Sequence, residues 1–155
     1  MPLKIFVQEV HIVRKEKDLL LNDLCPRLPY GVKFRYAYID EFFHKKYGTS
    51  TLEGVLPPYR IIHSTLAGEE YLQIEEDEVK PYLFPLSSIN EEIMDEIYDN
   101  SGVYDIGIDS PVHIEVGTTF EDLTKIINIL YKHHIDYQGL IPMGLALDAT
   151  GLDIY

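Results

Sequence analysis

Five consecutive residues hold the densest chemistry in the chain: His133, His134, Ile135, Asp136 and Tyr137. An imidazole two residues from a carboxylate can join a distant third ligand around a divalent ion, or share a proton with it as an acid–base pair. The same residues also serve plain structure. At a helix C-terminus a histidine bonds the last free carbonyls and suits the negative end of the dipole, and Asp136 can orient that ring or the turn that follows. Adjacent histidines on a helix point in different directions, which makes them a weaker ligand pair than histidines at i and i+4. His134, Asp136 and Tyr137 are the candidate binding residues. No catalytic set, metal ion or cofactor is assigned.

Other reactive types are sparse. Cys25 is the only cysteine, which excludes an internal disulfide and a cysteine zinc cluster. It stands beside a leucine run and before Pro26, with Arg27 alone to activate it, and reads as a small buried apolar residue. His113 falls on the polar side of a short strand near Glu115 and reads as exposed. Residues 99–109 are rich in calcium-friendly oxygens but lack the D-x-[DN]-x-[DN]-G core and distal glutamate of an EF-hand, so an ordinary loop is the expectation. Phosphate loops, the H-E-x-x-H zinc signature and the G-x-S-x-G elbow are all missing.

Charge is distributed unevenly. The 155 residues carry 13 Lys+Arg against 26 Asp+Glu, a net charge of −13. All but three of the basic residues (Lys80, Lys125 and Lys132) precede residue 64, whereas 19 of the acidic ones follow it. An acidic surface repels phosphate, which argues against direct nucleic-acid binding through the C-terminal part. The acidic run over residues 69–78 suits a solvated surface, docking on a basic partner (including the nucleic-acid site of another protein), or divalent cations. Twelve tyrosines and no tryptophan add side chains with large contact area and a polar tip.

The elements that position these residues follow from periodicity. A chain of this length fits one domain, residues 1–155, with no repeat or linker. Leu3, Ile5 and Val7 alternate with polar neighbours as an opening strand, and a short helix over about 16–24 ends at Pro26. Leu28, Pro29, Tyr30 and Gly31 make a turn. Val32, Phe34, Tyr36 and Tyr38 alternate with Lys33, Arg35 and Ala37 in the clearest strand. Residues 40–58 read as loop, 59–65 and 71–74 as a hairpin through Ala67 and Gly68, and Lys80–Pro85, with two prolines, as an edge segment or extended loop. That edge makes a homo-oligomer through pairing with its twin an open option. Capping boxes at Ser88–Glu91 and Thr118–Glu121 start helices over about 89–98 and 119–133. The second has an apolar face of Phe120, Leu123, Ile126, Ile127, Leu130 and Tyr131. Val112, Ile114 and Val116 form a short strand between them. Strands and helices do not alternate regularly, so the expected fold is α+β with a mostly antiparallel sheet. No apolar run approaches a bilayer span and the first residues do not read as a signal peptide; the expectation is a cytoplasmic protein of a bacterial host cell, with no membrane contact.

Three stretches carry a resemblance. Residues 134–147, beginning His134, Ile135, Asp136, Tyr137, Gln138 and Gly139, resemble the H-F-D-Y-R-G-L-I-x-x-G-L-A ending of an uncharacterised family of small phage and mobile-element proteins of Bacteroides-type gut bacteria. Leu28–Lys33 and Lys80–Ser88 are similar to two further stretches of that family, the latter reading K-P-Y-L-R-P-x-S-S in relatives. Together they cover about a quarter of the chain in the same order. The resemblance implies a phage-related source and no reaction. Phe84 and Gln138 stand where arginine is expected and Ile135 where phenylalanine is expected, so an anion grip by those arginines would be lost here. The spacing of Gly139, Leu140, Gly144 and Leu145 suits a tail whose glycines permit close backbone approach while the leucines plug a core. The functional expectation is a non-enzymatic phage or prophage accessory protein acting by protein–protein contact through an acidic surface. Its rivals are a small metal-dependent or hydrolytic enzyme using His134 and Asp136, and a DNA-mimic inhibitor.

Overall fold

The computed structural model describes residues 2–101 and 119–155, with side chains from residue 15 onward in the first stretch. Among these residues there are three helices and eight strands, mostly antiparallel, and the fold is α+β. The expected strand around His113 and nearly all of the 99–110 loop lie outside the described residues; Asp99, Asn100 and Ser101 belong to a helix. No described helix is long and apolar enough to cross a membrane. The chain groups into two compact units, residues 1–82 with Tyr155, and residues 83–154.

The first unit opens with α1, Pro2–Arg27. The expected strand at residues 3–7 is helical instead. Its alternation lasts five residues, whereas apolar residues at 3, 6, 7, 10, 13, 20 and 24 keep helical spacing over the whole segment. The helix expected over 16–24 is the end of this longer one, with Pro26 in its last turn. Leu20 and Leu24, one turn apart, are buried. Cys25, rotated about 100° from Leu24, is exposed, which corrects the buried reading. A 3-10 turn, Leu28–Tyr30, closes on Gly31 as expected.

Strand β1, Lys33–Ile39, pairs in antiparallel register with β2, Lys45–Thr51, through a loop capped by Asp40. One Asp40 carboxylate oxygen accepts from the Phe42 and His44 N–H groups at 2.9 and 2.8 Å. β2 was legible only as loop because Lys45, Lys46, Gly48, Thr49, Ser50 and Thr51 offer no apolar period; backbone pairing makes it a strand. Gly48 faces Tyr36 across the ladder, and a β-carbon there would come within 2.7 Å of the Tyr36 ring. The missing side chain is what lets that ring lie over β2. β3, Gly54–Leu56, β4, Arg60–Thr65, and β5, Gly68–Gln73, form a second antiparallel sheet in that order. The expected hairpin is present, closed by the Thr65–Gly68 pair.

Strand β6, Lys80–Pro85, is not an edge. In the first unit its Lys80 and Pro81 pair with Arg35 and Phe34 of β1. In the second unit its Phe84 and Pro85 pair in parallel with Ile135 and Asp136, which form β7. Each partner covers only two residues, so prolines at 81 and 85 cost few ladder bonds. Self-pairing through this segment therefore loses its premise.

In the second unit, α2 spans Glu91–Ser101 and α3 spans Phe120–Lys132. Both begin later in the chain than their expected boxes. Asn90, not Ser88, caps α2 by accepting from the Ile93 N–H at 3.0 Å, because Ser88 is taken into a 3-10 turn, Leu86–Ser88. On α3 the reciprocal box joins Thr119 to Asp122; Thr118 lies outside the described residues. The Thr119 hydroxyl and N–H hold the Asp122 carboxyl below its usual range. Ile93, Ile97, Ile126, Ile129, Leu130 and Ile135 form one buried cluster, with Phe84 and Tyr137 packed against it. Phe120, expected on the apolar face, is 86% exposed, and Ile129 is buried in addition to the expected set. β8, Leu147–Asp148, pairs with β6.

Candidate functional site

The histidine–aspartate segment straddles the end of α3 and β7. His133 is the C-cap, its N–H bonded to the Ile129 carbonyl at 3.1 Å. His134 follows at φ +57°, the left-handed conformation that ends many helices and usually takes glycine. Its side chain is buried, its N–H donates to the Tyr131 carbonyl, and its own carbonyl accepts from Phe84 N–H at 2.9 Å. So the backbone of His134 ties α3 to β6.

Asp136 is buried at 4% exposure, yet its charge is answered entirely by backbone. Oδ1 accepts from the Leu140 N–H and Oδ2 from the Ile141 N–H, both at 2.8 Å. The His134 imidazole is a partner to neither oxygen. The carboxylate thus fixes the turn after β7, and that turn carries Leu140 into complete burial. The glycines of the motif act differently from expectation. Gly139 and Gly144 adopt φ +79° and +74°, and around Gly144 there is open space, so they are needed for positive φ and not for close approach. Tyr137 meets Tyr131 hydroxyl to hydroxyl at 2.7 Å, with rings edge-on at 5.4 Å.

His133 meets a carboxylate of α2. Glu96 of α2 bridges His133 Nε2 and Lys132 Nζ, each at 2.6 Å. Lys132 first and His133 second hold the Glu96 carboxyl below its usual value. A carboxyl lowered by folding stabilises the fold above its unfolded value, and that contribution disappears as pH falls through the folded one. The stability advantage of the parent over Glu96→Gln is therefore expected to be flat above about pH 5 and to shrink progressively below about pH 4.5, in urea titrations across that range. An advantage that grows on acidification would show the bridge to be absent in solution.

Two of the departures from the expected pattern meet in space. Phe84 and Ile135 are register partners on β6 and β7, and both belong to the apolar cluster. An apolar pair thus occupies the positions where arginine and phenylalanine were expected. Gln138, the third departure, donates to the Tyr137 hydroxyl at 3.4 Å.

The first unit contains polar groups that periodicity did not single out. His63 of β4 is fully buried, follows buried Ile61 at strand spacing, and packs edge-on against Tyr36 at 4.9 Å and Phe34 at 5.7 Å. Neither ring nitrogen has a hydrogen-bond partner; a Glu70 carboxylate oxygen stands 3.8 Å from Nε2. Burial first, then Glu70, raises the Tyr36 hydroxyl above its ordinary value. Asp23 and Arg27 form a wholly buried, two-pronged ion pair one helical turn apart on α1. Among the described residues no group of three His, Cys, Asp or Glu side chains is placed to hold a metal ion.

No family model, curated protein or solved structure matches the chain.

Proposed function

We propose that this is a non-enzymatic accessory protein, of the kind carried by phages and prophages, acting by protein–protein contact through an acidic surface. One observation carries the reading. α2 turns Glu91, Glu92, Asp95 and Asp99 to solvent beside the partly exposed Tyr98, and it has no basic residue along its length. Residues 91, 95 and 99 recur every four positions, so their carboxylates follow one side of the helix at roughly 6 Å intervals. Such a stripe repels phosphate and attracts a basic protein surface, including one that otherwise binds nucleic acid, while Tyr98 adds contact area with a polar tip. The commitment of both Asp136 oxygens to backbone N–H groups supports contact over reaction.

The test compares the parent with Asp95→Lys/Asp99→Lys, substitutions beyond the first turn that leave the Asn90 cap intact. Immobilised parent is expected to recover a saturable partner from bacterial lysate, more at low than at moderate salt, and the reversed stripe to recover at least about tenfold less. Recovery of nothing saturable by the parent at either salt, or equal recovery by both proteins, overturns the proposal.

A further inference from the structure

The first unit leaves one long strand paired on a single side. Among the described residues β2 forms a ladder with β1 alone, and its seven residues contain no proline. Which backbone groups face outward follows from the ladder. The Leu52 N–H donates to the Val32 carbonyl and the Asp40 N–H to the His44 carbonyl. Hydrogen-bonded pairs alternate in an antiparallel ladder, so Lys46, Gly48 and Ser50 bond to β1, while the N–H and C=O groups of Lys45, Tyr47, Thr49 and Thr51 point away from it.

Natural edges of this length are blunted, commonly by lysine. Here the device is partly cancelled. The Lys45 ammonium is held by Glu78 at 2.6 Å, and Tyr47 is drawn onto the sheet face by the same carboxylate at 3.1 Å and by the Arg35 guanidinium 4.4 Å from its ring centre. β5, an edge of the second sheet in this unit, is protected differently. The Gln73 N–H is already taken by the Asp77 carboxylate at 2.6 Å, and the remaining length carries Glu69 and Glu70.

We propose that β2 pairs antiparallel with β2 of a second copy of this chain, about a two-fold axis at Gly48, giving one continuous sheet. The register is self-complementary. Tyr47 faces the second copy's Thr49 and Lys45 faces its Thr51, and each such pair exchanges two backbone bonds, about eight in all. Lys46 falls opposite the second copy's Ser50, so no two like charges are directly opposed. At the axis Gly48 meets Gly48 with no side chain to separate the strands, and the Tyr36 ring that covers each glycine is brought toward its twin. A second copy fits this edge better than an unrelated strand because one seven-residue sequence meets all of these conditions against itself. The contact is isologous and closes at two chains. It does not draw on the acidic stripe of α2, and stands or falls separately from the proposed function.

Thr49→Pro tests it. The Thr49 N–H faces outward, so proline there removes no bond to β1 but breaks the pair with the second copy's Tyr47. By sedimentation equilibrium up to about 1 mM protein, the weak end of specific association, the parent is expected to move from monomer mass to twice that mass. Thr49→Pro is expected to associate at least tenfold more weakly, and Thr49→Ala to behave as the parent. A parent that stays monomeric over the whole range, a mass that climbs past two chains, or equal association by the proline variant overturns the proposal. Should the proline variant lose its fold by circular dichroism, hydrogen exchange of the parent decides: the Tyr47 and Thr49 amides are expected to exchange more slowly at high concentration, and unchanged rates overturn the proposal.

Discussion

In urea titrations, Asp23→Ala is expected to lose about 3–5 kcal/mol, a large share of the roughly 5–15 kcal/mol that holds an ordinary domain folded. The Arg27 Nε–H donates to Asp23 Oδ2 at 2.7 Å and Nη2–H to Oδ1 at 3.0 Å, and both side chains are 0% exposed. Removing the carboxylate takes two charge-assisted hydrogen bonds from a buried guanidinium that cannot lose its charge, so the penalty exceeds the modest net worth of the pair. The contrast with Lys125 and Glu121 is instructive. They share the same i, i+4 geometry at 3.1 Å but lie in solvent, where such a pair contributes only some tenths of a kcal/mol. If burial is the cause, removing both charges together restores what removing one destroys. Asp23→Leu/Arg27→Met is expected to match the parent within about 1 kcal/mol or to exceed it. A loss under about 1 kcal/mol for Asp23→Ala would mean that water reaches the pair in solution. Tyr155, close enough for the Arg27 charge to act on it, is a useful reporter. Its hydroxyl accepts from the Lys33 N–H at 3.0 Å and donates to the Tyr82 carbonyl at 2.6 Å, and burial pushes it up to about 12.

How far the sequence could be read depended on whether apolar spacing or backbone pairing defines an element. α3 was legible because Ile126, Leu130 and Tyr131 repeat at helical spacing behind a capping residue, and β1 because Val32 and Phe34 alternate with Lys33 and Arg35. β2 was not, since nothing in Lys45–Thr51 separates a polar edge strand from a loop until the partner strand is known. α1 was misread in its first half because five residues satisfied a two-residue period before the longer one had room to show. β6 was misplaced by a rule about prolines that assumes neighbours along the full strand, whereas each of its neighbours covers two residues. The candidate site was legible in composition and not in use. His134 and Asp136 stand two residues apart, as an acid–base pair would, but whether a carboxylate bonds an imidazole or two amides depends on the path of residues 138–141, which spacing does not give. The i, i+4 spacing of Asp23 and Arg27 is equally that of a surface pair, and it takes their complete burial in the structure to tell the two apart.

The Asp136 carboxylate gives the other large effect, and its sign separates a structural role from a reactive one. Asp136→Ala is expected to lose about 3 kcal/mol, because two hydrogen bonds to a buried charge disappear and the Leu140 and Ile141 N–H groups are left without their acceptor. For a chain of this size that is a fall of about 6–12 °C in the unfolding midpoint. Asp136→Asn keeps one carbonyl oxygen for one of the two amides and is expected to lose about half as much. Residues held in place for reactivity commonly behave in the opposite way, since relieving a destabilised site by substitution leaves stability unchanged or raises it. The turn itself supplies a second readout. Freed from Asp136, residues 138–141 no longer hold Leu140 in the core, so the Leu145 and Ala146 amides, both bonded to the Leu140 carbonyl, are expected to exchange faster with solvent than those of α3. An Asp136→Ala protein that melts at or above the parent's temperature, with the Leu145 and Ala146 amides still protected, would return the carboxylate to the list of groups free to do chemistry.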